Sequence, residues 1–169
     1  MAAVTAVAAQ IAIPLSPVPF TLQVPAVILC GLLLGVRVGA LAQAIYVLVG
    51  ALGVPVFSNF TGGLGHVFGP TGGYLISYPI AAAVAGIAAH TVATASRDRA
   101  LLAGFLWGYA GLAVIYVFGT TWLAVVSGFS PAQAIATGVL PFVAFDLIKV
   151  ALAALVAVAA APAIAPPRT

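Results

Sequence analysis

Charged side chains are what this 169-residue sequence has least of: five Lys or Arg and two acidic residues, 4% of the chain, against 64% hydrophobic residues. A soluble domain carries roughly 25% charged residues, so a water-exposed globule is excluded and an integral membrane protein is expected. The net charge of +3 comes without any basic cluster, so nucleic acid is not an expected partner. Lys149 is the only lysine, and no Gly-x-x-x-x-Gly precedes it, so the chain has no P-loop ATPase of its own. Asp98 and Asp146 are the only acids. They leave neither paired carboxylates nor a Ser/His/Asp set, and no enzymatic activity is expected. His66 and His90 lack carboxylate or cysteine neighbours at ligand spacing, so neither a metal nor a cofactor is expected. The single cysteine, Cys30, excludes an internal disulfide and a cysteine metal cluster.

Apolar residues are abundant, in continuous runs without the period-two alternation of a membrane β-barrel. An all-α bundle in one transmembrane domain, 1–169, follows. The first helix reads as Met1–Ile13, short for a span of about 20 residues. Ala2 and Ala6, four apart, give it a small-residue face of the kind that lets helices approach closely in lipid. No basic segment precedes it, so a cleaved signal peptide is not expected. Pro14, Pro17 and Pro19 end the helix, and the stiffened segment carrying Phe20, Leu22 and Gln23 reads as a connector or a lid over a cavity.

A second helix is expected over Pro25–Leu34, a turn at Gly35–Gly39 and a third helix over Ala40–Leu52. Val56–Gly73 is too rich in glycine to read as helical. Irregular backbone at membrane depth survives where it is buried in protein or lines a cavity, which makes this loop a candidate part of a site. A fourth helix is expected over Tyr74–Ala95 and a fifth over Leu101–Val126. Ser130-Pro131 reads as the cap and first position of a short helix through Thr137, and the last span as Phe142–Ala161. Six transmembrane helices result. Arg37, Arg97, Arg99 and Arg168 then share one side, and the positive-inside rule makes both termini cytoplasmic. Trp107, Tyr109, Tyr116 and Trp122 read as interfacial anchors.

Within the last span, Asp146 and Lys149 stand three residues apart on one helical face. A charge in hydrocarbon costs at least about 2.5–3.5 kcal/mol and normally faces a cavity, a partner or a ligand. The pair is either a structural ion pair or a binding site. As a site it offers a cation with three donors beside an acceptor for ligand N–H groups, which suits a small amphiphile bearing a carboxylate and N–H donors. Tyr74, directly after the glycine loop, is placed to meet such a ligand.

Three segments together resemble the BioY family, the biotin-specific substrate-binding (S) components of energy-coupling-factor (ECF) vitamin transporters. They are Ile13-Pro14 through Val18-Pro19-Phe20-Thr21-Leu22-Gln23, Pro55-Val56-Phe57 through Gly69-Pro70-Thr71-Gly72-Gly73-Tyr74-Leu75, and Pro141-Phe142 through Asp146-x-x-Lys149. The resemblance implies a six-helix ECF S-component fold in a bacterial or archaeal cell membrane and a biotin pocket closed by the first and third loops. It also implies docking to a transmembrane coupling protein with two cytoplasmic ATPase subunits. Position by position, Asp146 and Lys149 match the family's ligand contacts, Tyr74 and Gly73 its pocket wall, Asn59 a polar pocket position, and Phe20, Leu22 and Gln23 the first loop. In this match Lys149 holds the biotin carboxylate with support from Tyr74, and Asp146 with Asn59 reads the ureido ring. Ala2 and Ala6 match the docking face toward the coupling protein, and Tyr78 stands where the family would have Phe. The alternative is a stand-alone transporter of biotin or another vitamin working without ATPase subunits.

Overall fold

The computed structural model describes the backbone of residues 1–164 and the side chains of residues 1–161. Arg168, one of the basic residues behind the expected orientation, lies outside the described residues. The elements in order are α1 (Ala2–Gln10), strands β1 (Ala12–Ile13) and β2 (Phe20–Thr21), α2 (Gln23–Ala51), α3 (Leu64–Phe68), α4 (Gly72–Gly86), α5 (Ala89–Thr94), α6 (Arg97–Ser127), α7 (Pro131–Gly138) and α8 (Val143–Ile164). The two short strands pair antiparallel, Ala12 with Thr21 and Ile13 with Phe20. The proline segment between them is thereby a small hairpin rather than an open connector.

Helix α2 is itself a hairpin of two helical arms. Gly35 has φ +78° and ψ −179°, a conformation open essentially to glycine alone. Beyond it the chain returns along itself: a methyl group on Gly39 would stand 3.1 Å from Gly31 Cα, and the Gln23 side-chain amide donates to the Tyr46 hydroxyl. The two expected helices are both present, and their turn has contracted to one residue because Gly35 alone supplies the reversal. Gly86, at the end of α4, abuts this turn, where a methyl group would lie 2.5 Å from Gly35 C. The Gly35 turn and the α4–α6 connection therefore occupy one end of the bundle. By length and composition, three helical runs are apolar enough to cross a membrane among the described residues: Gln23–Ala51, which is this hairpin, Arg97–Ser127 and Val143–Ala161.

The sequence-based boundaries need correction at three places. The segment 56–73, expected to be wholly irregular, contains α3 and the start of α4. Gly63 and Gly69 bracket α3 instead of interrupting it, and a methyl group on Gly73 would stand 2.3 Å from Trp122 Cβ and 2.6 Å from the Phe118 carbonyl oxygen. That glycine serves close contact with α6, not flexibility. The expected fourth helix is divided at Ile87-Ala88 into α4 and α5. Helix α1 stops at Gln10, because Ala12-Ile13 are taken into the strand pair.

The small face of α1, expected as a docking surface, also takes part in the molecule's own packing. Ala2 and Ala6 pack onto the molecule's own core, and fully buried Thr5 accepts a 3.0 Å hydrogen bond from Gln43 of α2. Small residues bring α1 close to α2, leaving Val4, Val7 and Ile11 on its outer face. Helix α7 opens with the expected Ser130 cap, completed by a reciprocal bond from Gln133. Along α8 the buried residues Asp146, Lys149, Val150, Ala153, Ala154, Ala157 and Ala161 fall on one stripe, while Phe145, Ile148, Leu152 and Val156 face outward. Both charges thus point into the bundle, at the end where α8 begins.

Candidate ligand-binding site

The Lys149 ammonium lies 3.0 Å from Asp146 Oδ1. It also donates to the Thr21 carbonyl at 2.8 Å and stands 3.4 Å from the centre of the Phe20 ring. These three contacts match its three donors. The other carboxylate oxygen, Asp146 Oδ2, accepts from the Tyr116 hydroxyl at 2.7 Å. Asp146 and Lys149 are 4% and 9% exposed, deep enough that an unpaired charge there would be costly. Asp146 also sits in the first turn of α8, where the helix dipole favours an anion.

A second polar cluster adjoins the first. Thr21 Oγ1 donates to Gln23 Oε1 at 3.0 Å, the Tyr78 hydroxyl approaches the same oxygen at 3.3 Å, and the Gln23 amide reaches Tyr46. The Tyr46 hydroxyl in turn donates to the Val56 carbonyl at 3.1 Å. Tyr78, the departure from the family's Phe, thereby has a partner for its hydroxyl.

These groups surround a cavity of about 60 Å³, walled by Phe20, Thr21, Gln23, Tyr74, Tyr78, Ile115, Tyr116, Phe142, Asp146 and Lys149 and bordered by Val18, Pro19, Phe57, Ser58, His66 and Thr71. A largely apolar wall with a few convergent polar groups is the make-up of a small-molecule site. Both irregular segments contribute: the proline hairpin supplies 18–21, and the glycine-rich segment supplies Phe57, Ser58, His66 and Thr71. Gln10 ties the second segment to α1, donating to the Phe57 carbonyl at 3.1 Å and accepting from the Phe60 N–H at 2.8 Å.

Of the residues singled out in the sequence, Asp146, Lys149, Tyr74, Phe20 and Gln23 reach the cavity. Tyr74 arrives with its hydroxyl already engaged, donating to the Gly138 carbonyl at 2.9 Å. Leu22, Gly73 and Asn59 are not brought to it. Leu22 caps α2, Gly73 packs on α6, and Asn59 forms an exposed left-handed turn at φ 57° and ψ 36°, a conformation asparagine tolerates better than most residues.

Tyr116 and Tyr78 also line the cavity and lie outside the sequence-predicted set. Tyr116 reads as an interfacial anchor, yet it lies well inside α6 rather than in a terminal turn, and that placement was the available signal. Trp122, also read as an anchor, donates to the Gly69 carbonyl at 2.9 Å and so secures the glycine-rich segment.

The chain is similar over residues 1–166 to the model of the BioY family. The Probable biotin transporter BioY of Pyrococcus horikoshii is 46% identical over 155 residues, covering 92% of this chain and 88% of that protein. The Biotin transporter BioY of Thermotoga maritima is 45% identical over 159 residues with the same coverage. In three dimensions the chain resembles the crystal structure of the S-component for biotin from an ECF-type ABC transporter, with a TM-score of 0.84 at 23% identity, covering 94% of this chain and 85% of that one. That likeness establishes the fold, and with the family match over nearly the whole sequence the conclusion is plain: this multi-pass membrane chain belongs to the BioY family.

Proposed function

We propose that this protein is the biotin-binding S component of an ECF transporter. It takes biotin into the cavity beneath the two loops and passes it inward in association with a transmembrane coupling protein and two cytoplasmic ATPase subunits. The observation that carries this reading is the buried Asp146–Lys149 pair opening on a loop-covered cavity. The sequence-based assignment gave the two charges opposite ends of the ligand. Their 3.0 Å separation instead suits one edge of the ureido ring, because the valerate chain separates biotin's two ends whereas a ureido N–H and its carbonyl are neighbours. In this arrangement the N–H donates to Asp146 and the carbonyl accepts from Lys149. The thiophane ring and valerate chain then lie along the apolar wall.

The contacts of Lys149 also suggest how the cavity is guarded. With Thr21 and Phe20 held by the ammonium, the proline hairpin is tied to α8 over the cavity. A ligand carbonyl reaching Lys149 replaces the Thr21 carbonyl, so capture and release of the hairpin are one exchange of hydrogen bonds.

We further propose six membrane crossings: α1, the two arms of α2, α4 with α5, α6 and α8. Arg37 follows the Gly35 turn, and Arg97 and Arg99 open α6 beyond the α4–α5 connection that abuts that turn. This supports a cytoplasmic placement of that end and of both termini, with the cavity facing outward.

Isothermal titration of the purified chain with biotin, desthiobiotin and thiamin tests the ligand. Saturable biotin binding with none for thiamin is expected, and binding of thiamin without biotin would refute the assignment. Biotin uptake into proteoliposomes that depends on added coupling and ATPase subunits is the second expected result. Equal uptake without them would favour a stand-alone transporter.

A further inference from the structure

The charges in the cavity wall nearly cancel. Lys149 is neutralised by Asp146, so an anionic ligand finds no surplus positive charge at the α8 pair, and a buried carboxylate without a counter-charge is costly. One further basic side chain lines the cavity, His66 of α3. Its Nδ1 lies 3.1 Å from the Gly62 carbonyl oxygen. A carbonyl only accepts, so Nδ1 carries the proton, and Nε2 has no hydrogen-bond partner among the described residues. A neutral ring with that tautomer offers a carboxylate only a lone pair, whereas the imidazolium offers a charged N–H.

His66 is linked to the α8 pair through aromatic contacts. Its ring is 6.3 Å from that of Phe57, the Phe57 ring is 5.7 Å from that of Tyr46, and Tyr46 is bonded to Gln23 beside Thr21. Aromatic surface therefore runs between the two basic groups, which line one cavity from different elements, a layout for a ligand with a polar head, an apolar body and an acidic tail.

We propose that His66, as imidazolium, binds the ligand's carboxylate tail through Nε2, so that ligand capture takes up a proton. This rests on the biotin reading of the cavity and adds the residue that meets the opposite end of the molecule. The other titratable groups around the cavity are Asp146 and Lys149 of α8, Tyr74 and Tyr78 of α4, Tyr46 of α2 and Tyr116 of α6. Histidine is the residue type whose ordinary titration falls between about pH 5 and 8.

The test is titration calorimetry of the full chain in detergent with biotin and with its neutral carboxamide between about pH 5.5 and 8, where histidine changes charge and an aliphatic carboxylate stays largely ionised. Wild-type protein is expected to bind biotin roughly threefold to tenfold more tightly at the acid end, with a flat profile for the carboxamide. His66→Gln flattens the biotin profile at the weaker value, and His66→Lys, a cation throughout, flattens it at the tighter one. A wild-type profile retained in His66→Gln, or an equal slope for the carboxamide, overturns the assignment of His66. Loss of biotin binding by the wild type at every pH overturns the reading of the cavity itself.

Discussion

The two halves of the bundle have different cores. At the loop-covered end the core consists of Tyr46, Phe57, Tyr74, Tyr78, Phe142 and their neighbours, and glycines there seat rings as well as backbone: a methyl group on Gly119 would stand 2.3 Å from the Tyr74 ring. At the other end the core is Ala85, Ala88, Ala153, Ala154, Ala157 and Ala161 with a few branched residues, and no aromatic ring sits on its glycines. A methyl group on Gly31 would stand 2.2 Å from the Ala82 carbonyl oxygen. Flat rings on glycine seats leave gaps and bring hydroxyls into the interior, where they find partners in Gln23, Asp146 and Gly138. Alanine faces give helices the close approach on which association in lipid depends. The first end gathers the buried polar groups, the second the close helix crossings.

Replacing Gly31 by leucine strikes the second end where backbone cannot give way. A loss of about 3 kcal/mol or more is expected, in the upper range for overpacking, and is read as a large fall in the thermal transition in detergent. If the transition barely moved, close helix crossing would not be what secures that end.

Lys149→Ala tests the first end. It leaves Asp146 buried without its cation, a loss of about 3–5 kcal/mol for a broken buried pair, and removes biotin binding. Combining it with Asp146→Leu restores most of the stability, since no charge is left stranded, but not the binding. Recovery of biotin affinity in the double variant would reduce the pair to a structural role.

Tyr116→Phe is the mildest change. It removes one hydrogen bond to a carboxylate, worth about 1.5–3 kcal/mol, and the fall in biotin affinity on calorimetry is expected to be roughly tenfold while the fold persists. An unchanged affinity would separate Tyr116 from the recognition of the head group.

Legibility followed the range of the interactions. The Asp146–Lys149 pair, the Ser130 cap and the Gly35 reversal were readable because each depends on residues within a turn or so of chain. The Tyr116 hydroxyl bond to Asp146 spans 30 residues and the Lys149 bond to Thr21 spans 128, and no local pattern marks either. Asn59 and Leu22 lie in the expected segments, yet the turn geometry of those segments points them elsewhere.

Scarcity of charge and long apolar runs were enough to decide that this is a helical membrane protein, since each buried charge costs free energy wherever it is placed. The residue pattern around three short segments was enough to identify the family. The direction in which the small face of α1 points, the seating of the Tyr74 and Phe57 rings on glycines, and the bonding of the proline hairpin to Lys149 were decided by tertiary packing. Each is a choice among partners equally allowed by local sequence, and only the assembled bundle fixes which partner lies within reach.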